Sequence, residues 1–251
     1  MSVEHPTAGA GGSGIGVRGA RIALITYDAP HQKTQDVLSR LLHRNRFHIS
    51  LTLVPFKQRP QRATVFDHRP AQLVGPHPKT LAHEHNLEMF ALEDWQSFNQ
   101  TVDYFLICGS GLIDGRLCAS AQIINCHPGL IPQSRGLDAF KWCIYKGLRL
   151  GNTLHRIDEG VDLGLVLHHQ PTEVFEEDDL AKLARRHYDA EIDLLANFDR
   201  YLERGTVLSL EKQEPTKRMP VSLEPEMMRN FENFKRQFVG AEKIKSRINE
   251  H

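Results

Sequence analysis

Long apolar runs, paired cysteines and an excess of charge of either sign are all missing from this chain of 251 residues. Its apolar stretches, such as YFLICGSGLI (104–113), are short and broken by glycine, too short to cross a bilayer as a helix. No basic region followed by an apolar one opens the N-terminus, so a secretory leader is not expected either. A cytoplasmic protein is the expectation. Lysine plus arginine number 31 and so do aspartate plus glutamate, which leaves no net field to recruit nucleic acid or an anionic membrane. The four cysteines, Cys108, Cys118, Cys126 and Cys143, are scattered without a CxxC pair, and no HxxxH accompanies them. They read as reduced, mostly buried thiols, and no metal site is expected.

What is present is enough apolar sequence, 40% hydrophobic residues, for one good core with at most a small appendage. Residues 1–19 are rich in Gly, Ala and Ser without periodicity and read as a flexible tail. Gly14, Gly16 and Gly19 fit a dinucleotide-type GxGxxG, but they precede the first strand where that motif must follow one. From RIALITYD (21–28) onward, β-branched apolar runs alternate with amphipathic helical segments such as KTQDVLSRLLHRN (33–45) and a long one from Leu180 to Tyr201. This alternation predicts an α/β fold with a mostly parallel, Rossmann-like sheet and helices on both faces. The expected organisation is a catalytic domain over 20–205 and a short C-terminal appendage over 206–251. In such sheets, sites lie beyond the carboxyl ends of the strands.

Two glycine-rich segments fall at such ends, Gly109 to Gly111 and the loop that opens IINCHPGLIPQSRG (123–136). In an extended segment Asn125 and His127 project to the same side, because side chains alternate with period two. An amide donor beside an imidazole suits an oxyanion, and a carboxylate near the imidazole would keep it protonated. Asp162 in the turn EGVDLG (159–164) is the candidate carboxylate.

The ordered set Asn125-x-His127-Pro128-Gly129-Leu130-Ile131-Pro132, Arg135-Gly136, Gly151-x-Thr153-x-His155 and Asp162-x-Gly164 resembles the signature of the folate-dependent formyltransferase family. The likeness is good from about 102 to 174 and looser back to Ile22. It implies the formyltransferase-like fold, 10-formyltetrahydrofolate as cosubstrate and formyl transfer to a primary amine. By position it implies Asn125, His127 and Asp162 as the catalytic trio. It also implies a pterin pocket from backbone at Gly109, Ser110, Gly111, Leu112 and Ile113 and at the turn Glu159, Gly160 and Val161. Gly129 stands where many members have Ser, a departure expected to touch loop shape and not chemistry.

Glycinamide ribonucleotide formyltransferases of this family carry a Ser/Gly-rich phosphate cradle after the first strand. TYDAPHQKTQ (26–35) stands there instead. Methionyl-tRNA enzymes add a C-terminal β-barrel and a basic face, and formyltetrahydrofolate hydrolases add an N-terminal domain. The leading acceptor is therefore a nucleotide-linked amino sugar, with the ribonucleotide enzyme or the hydrolase as alternatives. Lys33 and Thr34 at the helix start and Arg135 in the loop are the candidate acceptor contacts. A diphosphate is expected near Lys33, Arg62, His68 or Arg69. A homodimer is compatible with all of this.

Overall fold

Ile22, Ala23, Leu24, Ile25 and Thr26 are all fully buried, as befits a central strand covered on both faces. The structure, a computed structural model, describes residues 19–58, 62–157, 164–204, 206–207 and 214–240. The tail expected over 1–19 lies outside it except for Gly19, as do Glu159, Gly160, Val161 and Asp162.

In chain order the elements are β1 (Arg21–Tyr27), α1 (Gln32–Arg44), β2 (His48–Val54), α2 (Pro78–His85), β3 (Glu88–Ala91), α3 (Trp95–Phe98), β4 (Tyr104–Ile107) and α4 (Gly115–Ser120). There follow β5 (Ile123–His127), α5 (Ala139–Lys146), β6 (Gly151–Ile157), β7 (Gly164–Pro171), α6 (Leu180–Ala196), β8 (Thr206–Val207) and α7 (Glu224–Phe238). Eight strands form one sheet in the order β3-β2-β1-β4-β5-β6-β7-β8. The strands from β3 to β5 are parallel, and β6, β7 and β8 continue the sheet antiparallel. The expected mostly parallel α/β fold is what forms.

Leaving β1, the chain moves outward through β2 and β3, then returns to β4 on the other side of β1. Connections therefore diverge between β1 and β4, and that divergence opens a crevice at their carboxyl ends. On one face Val37, Leu38 and Leu41 of α1 pack with Ile192 and Leu195 of α6. Trp95, Phe98 and Leu117 cover the other face. A further cluster joins α5 to α7 through Phe140, Ile144, Met227, Phe231 and Phe234. Helix α5 closes on Gly147 in the left-handed region, φ 62°, where glycine carries no Cβ penalty. Of the elements that periodicity did not reveal, α3, α4 and β8 are six residues or shorter, and α7, at 15 residues, is the long exception. No helix among the described residues is long and apolar enough to cross a membrane.

Candidate active site

A cleft of about 1570 Å³ opens at the carboxyl ends of β1, β4 and β5. Asn125 and His127 both line it, side by side on β5 as period two requires. Asn125 Nδ2 can only donate, and it lies 3.2 Å from His155 Nε2, which therefore accepts. His155 comes from β6, whose register sets it directly opposite Asn125. His127 is buried, with Nε2 2.8 Å from the Ser134 carbonyl oxygen. A carbonyl only accepts, so Nε2 carries a hydrogen.

The loop that supplies this carbonyl is fixed from below. Thr153 Oγ1 donates to the Gly129 carbonyl at 2.6 Å and accepts from Ile131 N at 3.0 Å. His187 of α6 reaches the Pro128 carbonyl through Nε2 at 3.3 Å and meets Thr172 Oγ1 through Nδ1 at 2.8 Å. The position of Gly129 corrects the expectation drawn for it. A Cβ there would sit 2.8 Å from His127 Nε2 and closer still to the Ser134 carbonyl oxygen. Its bare backbone is what lets the carbonyl reach His127, so the residue bears on the setting of this imidazole and not on loop shape alone.

All five residues Gly109, Ser110, Gly111, Leu112 and Ile113 form a wall of the cleft after β4. Gly109 is packed tightly, since a Cβ would meet His31 Cε1 at 2.7 Å and Tyr27 Cδ2 at 2.8 Å. Gly111 is open, and Leu112 is 88% exposed, so this wall offers backbone and one apolar side chain to a ligand.

Another part of the lining is ionic. Glu191 of α6, 1% exposed, lies between Lys33 Nζ, 2.6 Å from Oε1, and Arg69, 2.8 Å from Oε2. Burial alone would raise the carboxyl, but Arg69 and Lys33 outweigh it and hold it down to about 2. The three groups together carry one net positive charge into the cleft. His31 beside them is pushed down to about 4, by burial first and then by Lys33 and Arg69, and stays neutral at neutral pH.

Two expected contacts fall elsewhere. Thr34 is fully buried off the cleft, its hydroxyl 2.5 Å from Thr26 Oγ1 and 2.8 Å from His31 Nδ1, because α1 turns this side into the sheet. Arg135 is not part of the lining; its carbonyl accepts from Thr216 N at 2.9 Å. Sequence reasoning missed Glu191 altogether. Its signal was a carboxylate four residues after His187 on the inward stripe of α6. Among the described residues no group of His, Cys, Asp and Glu gathers as for a metal. Burial drives the thiols of Cys108 and Cys143 up to about 12 and 11.

His187 makes the site acid-sensitive. Burial lowers it to about 4, against an ordinary 6.5 in the unfolded chain. The folded state resists protonation, so its contribution is whole above about 6.5 and is lost as pH falls toward 4. Between pH 7.5 and 5 this group alone should cost about 2 kcal/mol of stability. Urea unfolding at the two pH values, in the wild type and in His187→Gln, checks it: the variant should show that much less pH dependence.

A family model described as formyl transferase matches residues 40–198. Curated relatives include a methionyl-tRNA formyltransferase from Solibacter usitatus, 37% identical over 114 residues, 45% of this chain and 35% of that protein. A phosphoribosylglycinamide formyltransferase from Bacillus subtilis is 30% identical over 108 residues, 43% of this chain and 49% of that protein. The matched region thus spans about a third to a half of these relatives' length. Among solved structures, a sugar N-formyltransferase from a Shewanella species superposes with a TM-score of 0.54 at 19% identity, covering 78% of this chain and 75% of that one.

Proposed function

Because the chain belongs to the formyl transferase family, we propose that it transfers formyl from 10-formyltetrahydrofolate to a primary amine, that of a nucleotide-linked amino sugar. The observation that carries this reading is the pair Asn125 and His127 in one cleft with residues 109–113 and the cations of Lys33 and Arg69. The folate supplies an electrophilic formyl carbon. An open Gly111 and an exposed Leu112 fit a flat pterin ring approached through backbone groups. As the amine nitrogen bonds to that carbon, charge grows on the formyl oxygen and needs preorganised donors. Asn125 Nδ2 has two hydrogens and the contact with His155 uses one. The second donor is the His127 ring, set in place by the contact of its Nε2 with the Ser134 carbonyl. Asp162 takes the proton that the nitrogen sheds once its bond to carbon has formed. Collapse of the oxyanion then breaks the bond between that carbon and the folate nitrogen, which leaves as the amine of tetrahydrofolate with the proton returned to it.

The start of α1 supports a sugar nucleotide over a phosphate held at a helix N-terminus. The Lys33 amide already donates to Gln72 Oε1 at 3.0 Å. Gly75 lies so close that a Cβ would be 2.6 Å from the Gln32 nitrogen. That helix end is covered by protein, whereas the cations of Lys33, Arg62 and Arg69 line the open cleft. The Bacillus relative favours a second reading, glycinamide ribonucleotide as acceptor.

Incubation with 10-formyltetrahydrofolate and a panel of amines, read by mass spectrometry, tests both. Gain of one formyl group on a 3- or 4-amino sugar nucleotide is expected. Gain on the ribonucleotide alone would reverse the ranking, and formate release without acceptor would make the protein a hydrolase. Arg62→Gln should raise the KM for the sugar nucleotide about tenfold with kcat little changed, as loss of a charge-assisted contact made equally in ground and transition states.

A further inference from the structure

Residues 62–70 have neither helix nor strand, yet Asp67, His68 and Arg69 line the cleft, and Arg69 is one of the cations on Glu191. Something outside this segment must hold it. Glu224, the first residue of α7, is 1% exposed, and its Oε2 accepts from the amides of Val65 at 2.7 Å and Phe66 at 2.9 Å. Its Oε1 accepts from Lys141 Nζ of α5 at 2.7 Å, with the Lys141 side chain 3% exposed. The next residue of α5 inward, Phe140, takes the His68 ring in a stack, centroids 5.6 Å apart and 11° between planes. One carboxylate thus binds the irregular wall, α5 and α7 together.

We propose that Glu224 is a positioning residue that anchors residues 65–69, so that the C-terminal helix sets the acceptor wall of the cleft. Residues 214–240 are then an integral part of the site and not an appendage. The consequence for the acceptor rests on the function proposed above; the anchoring itself does not.

The same C-terminal stretch also grips the loop before α5. Thr216 N and Oγ1 donate to the Arg135 carbonyl at 2.9 and 2.7 Å, and the Leu137 amide donates to the Thr216 carbonyl at 2.8 Å. Trp142 Nε1 donates to the Lys217 carbonyl at 2.8 Å.

Replacing Glu224 alone would leave the Lys141 ammonium buried without its counterion and unfold too much to be informative. Two double variants avoid this. Lys141→Met with Glu224→Leu removes the ion pair and the acceptor of the two amides. Lys141→Met with Glu224→Gln removes the ion pair but keeps an acceptor oxygen for them. Hydrogen exchange by NMR and steady-state kinetics would be compared in the full chain. In the Leu variant the Val65 and Phe66 amides should exchange at least about tenfold faster than in the Gln variant. Its acceptor KM should be about tenfold higher, with kcat and the folate KM within about twofold. Equal exchange at 65–66 in the two variants, or a fall in kcat at constant acceptor KM, would overturn the proposal. If the wild type formylates no amine, the acceptor role falls with that reading, and exchange at Val65 and Phe66 still decides the anchor.

Discussion

Replacing His127 by Asn should leave the fold in place and cut formyl transfer about a hundredfold or more, the scale of losing a positioned oxyanion donor. Asn has neither the imidazole's reach to the Ser134 carbonyl nor the charge a protonated ring would carry. Asp162→Asn should fall by a similar factor, because an amide cannot accept the proton from the attacking nitrogen. Two companions separate chemistry from loop shape. Gly129→Ala should also lose activity, since its Cβ would crowd the Ser134 carbonyl off His127. Ser134→Ala should keep it, because the partner of His127 is main-chain. Single-turnover rates on folded, purified variants, with circular dichroism as the control, check the set. Near-normal turnover of His127→Asn and Asp162→Asn would sink the assignment of roles.

That His127 and Asn125 share a face was readable from the sequence because β-strand alternation is local and needs nothing but an extended backbone. The same holds for α1, whose stripe of Val37, Leu38 and Leu41 reports its own buried face. The roles of Lys33 and Thr34 were harder, because a helix start points where the neighbouring chain lets it. Gln72 and Gly75, some forty residues on, cover that end, while Glu191, 158 residues on, claims the Lys33 ammonium. Contacts at such separation leave no periodic trace. Gly129 shows the remaining limit. As a residue type it marked a bend, and only its distance to Ser134 and His127 ties it to the buried imidazole. Glu224 is the same kind of case, a carboxylate at a helix start that would pass for a macrodipole partner until its two amide donors are located.

Glu191→Leu should destabilise the protein by about 3 to 5 kcal/mol, the cost of leaving buried charge without its counterion. Lys33 is 6% exposed and has its Nζ on Glu191 Oε1, so the substitution strands an ammonium that water reaches poorly. Arg69 is partly exposed and keeps solvent and the Tyr188 ring, 5.4 Å away, so it should contribute the smaller share. Lys33→Met combined with Glu191→Leu should recover much of the loss, since an apolar pair of similar size is tolerated where half an ion pair is not. The pH dependence identifies the group. Its carboxyl is held down to about 2 in the folded state against 4.5 unfolded, so its contribution is complete above about 4.5 and is lost as pH falls toward 2. Wild type and Glu191→Leu should therefore converge in stability as pH falls from about 4.5 to 2, mostly below the window of His187. Pyrophosphate offers a second readout. In Glu191→Leu the two cations lack an internal anion, so added pyrophosphate should raise the melting temperature of the variant more than that of the wild type. An unfolding free energy from urea titration that falls by less than about 1 kcal/mol, with no differential protection by pyrophosphate, would mean that Glu191 does not carry the ionic wall.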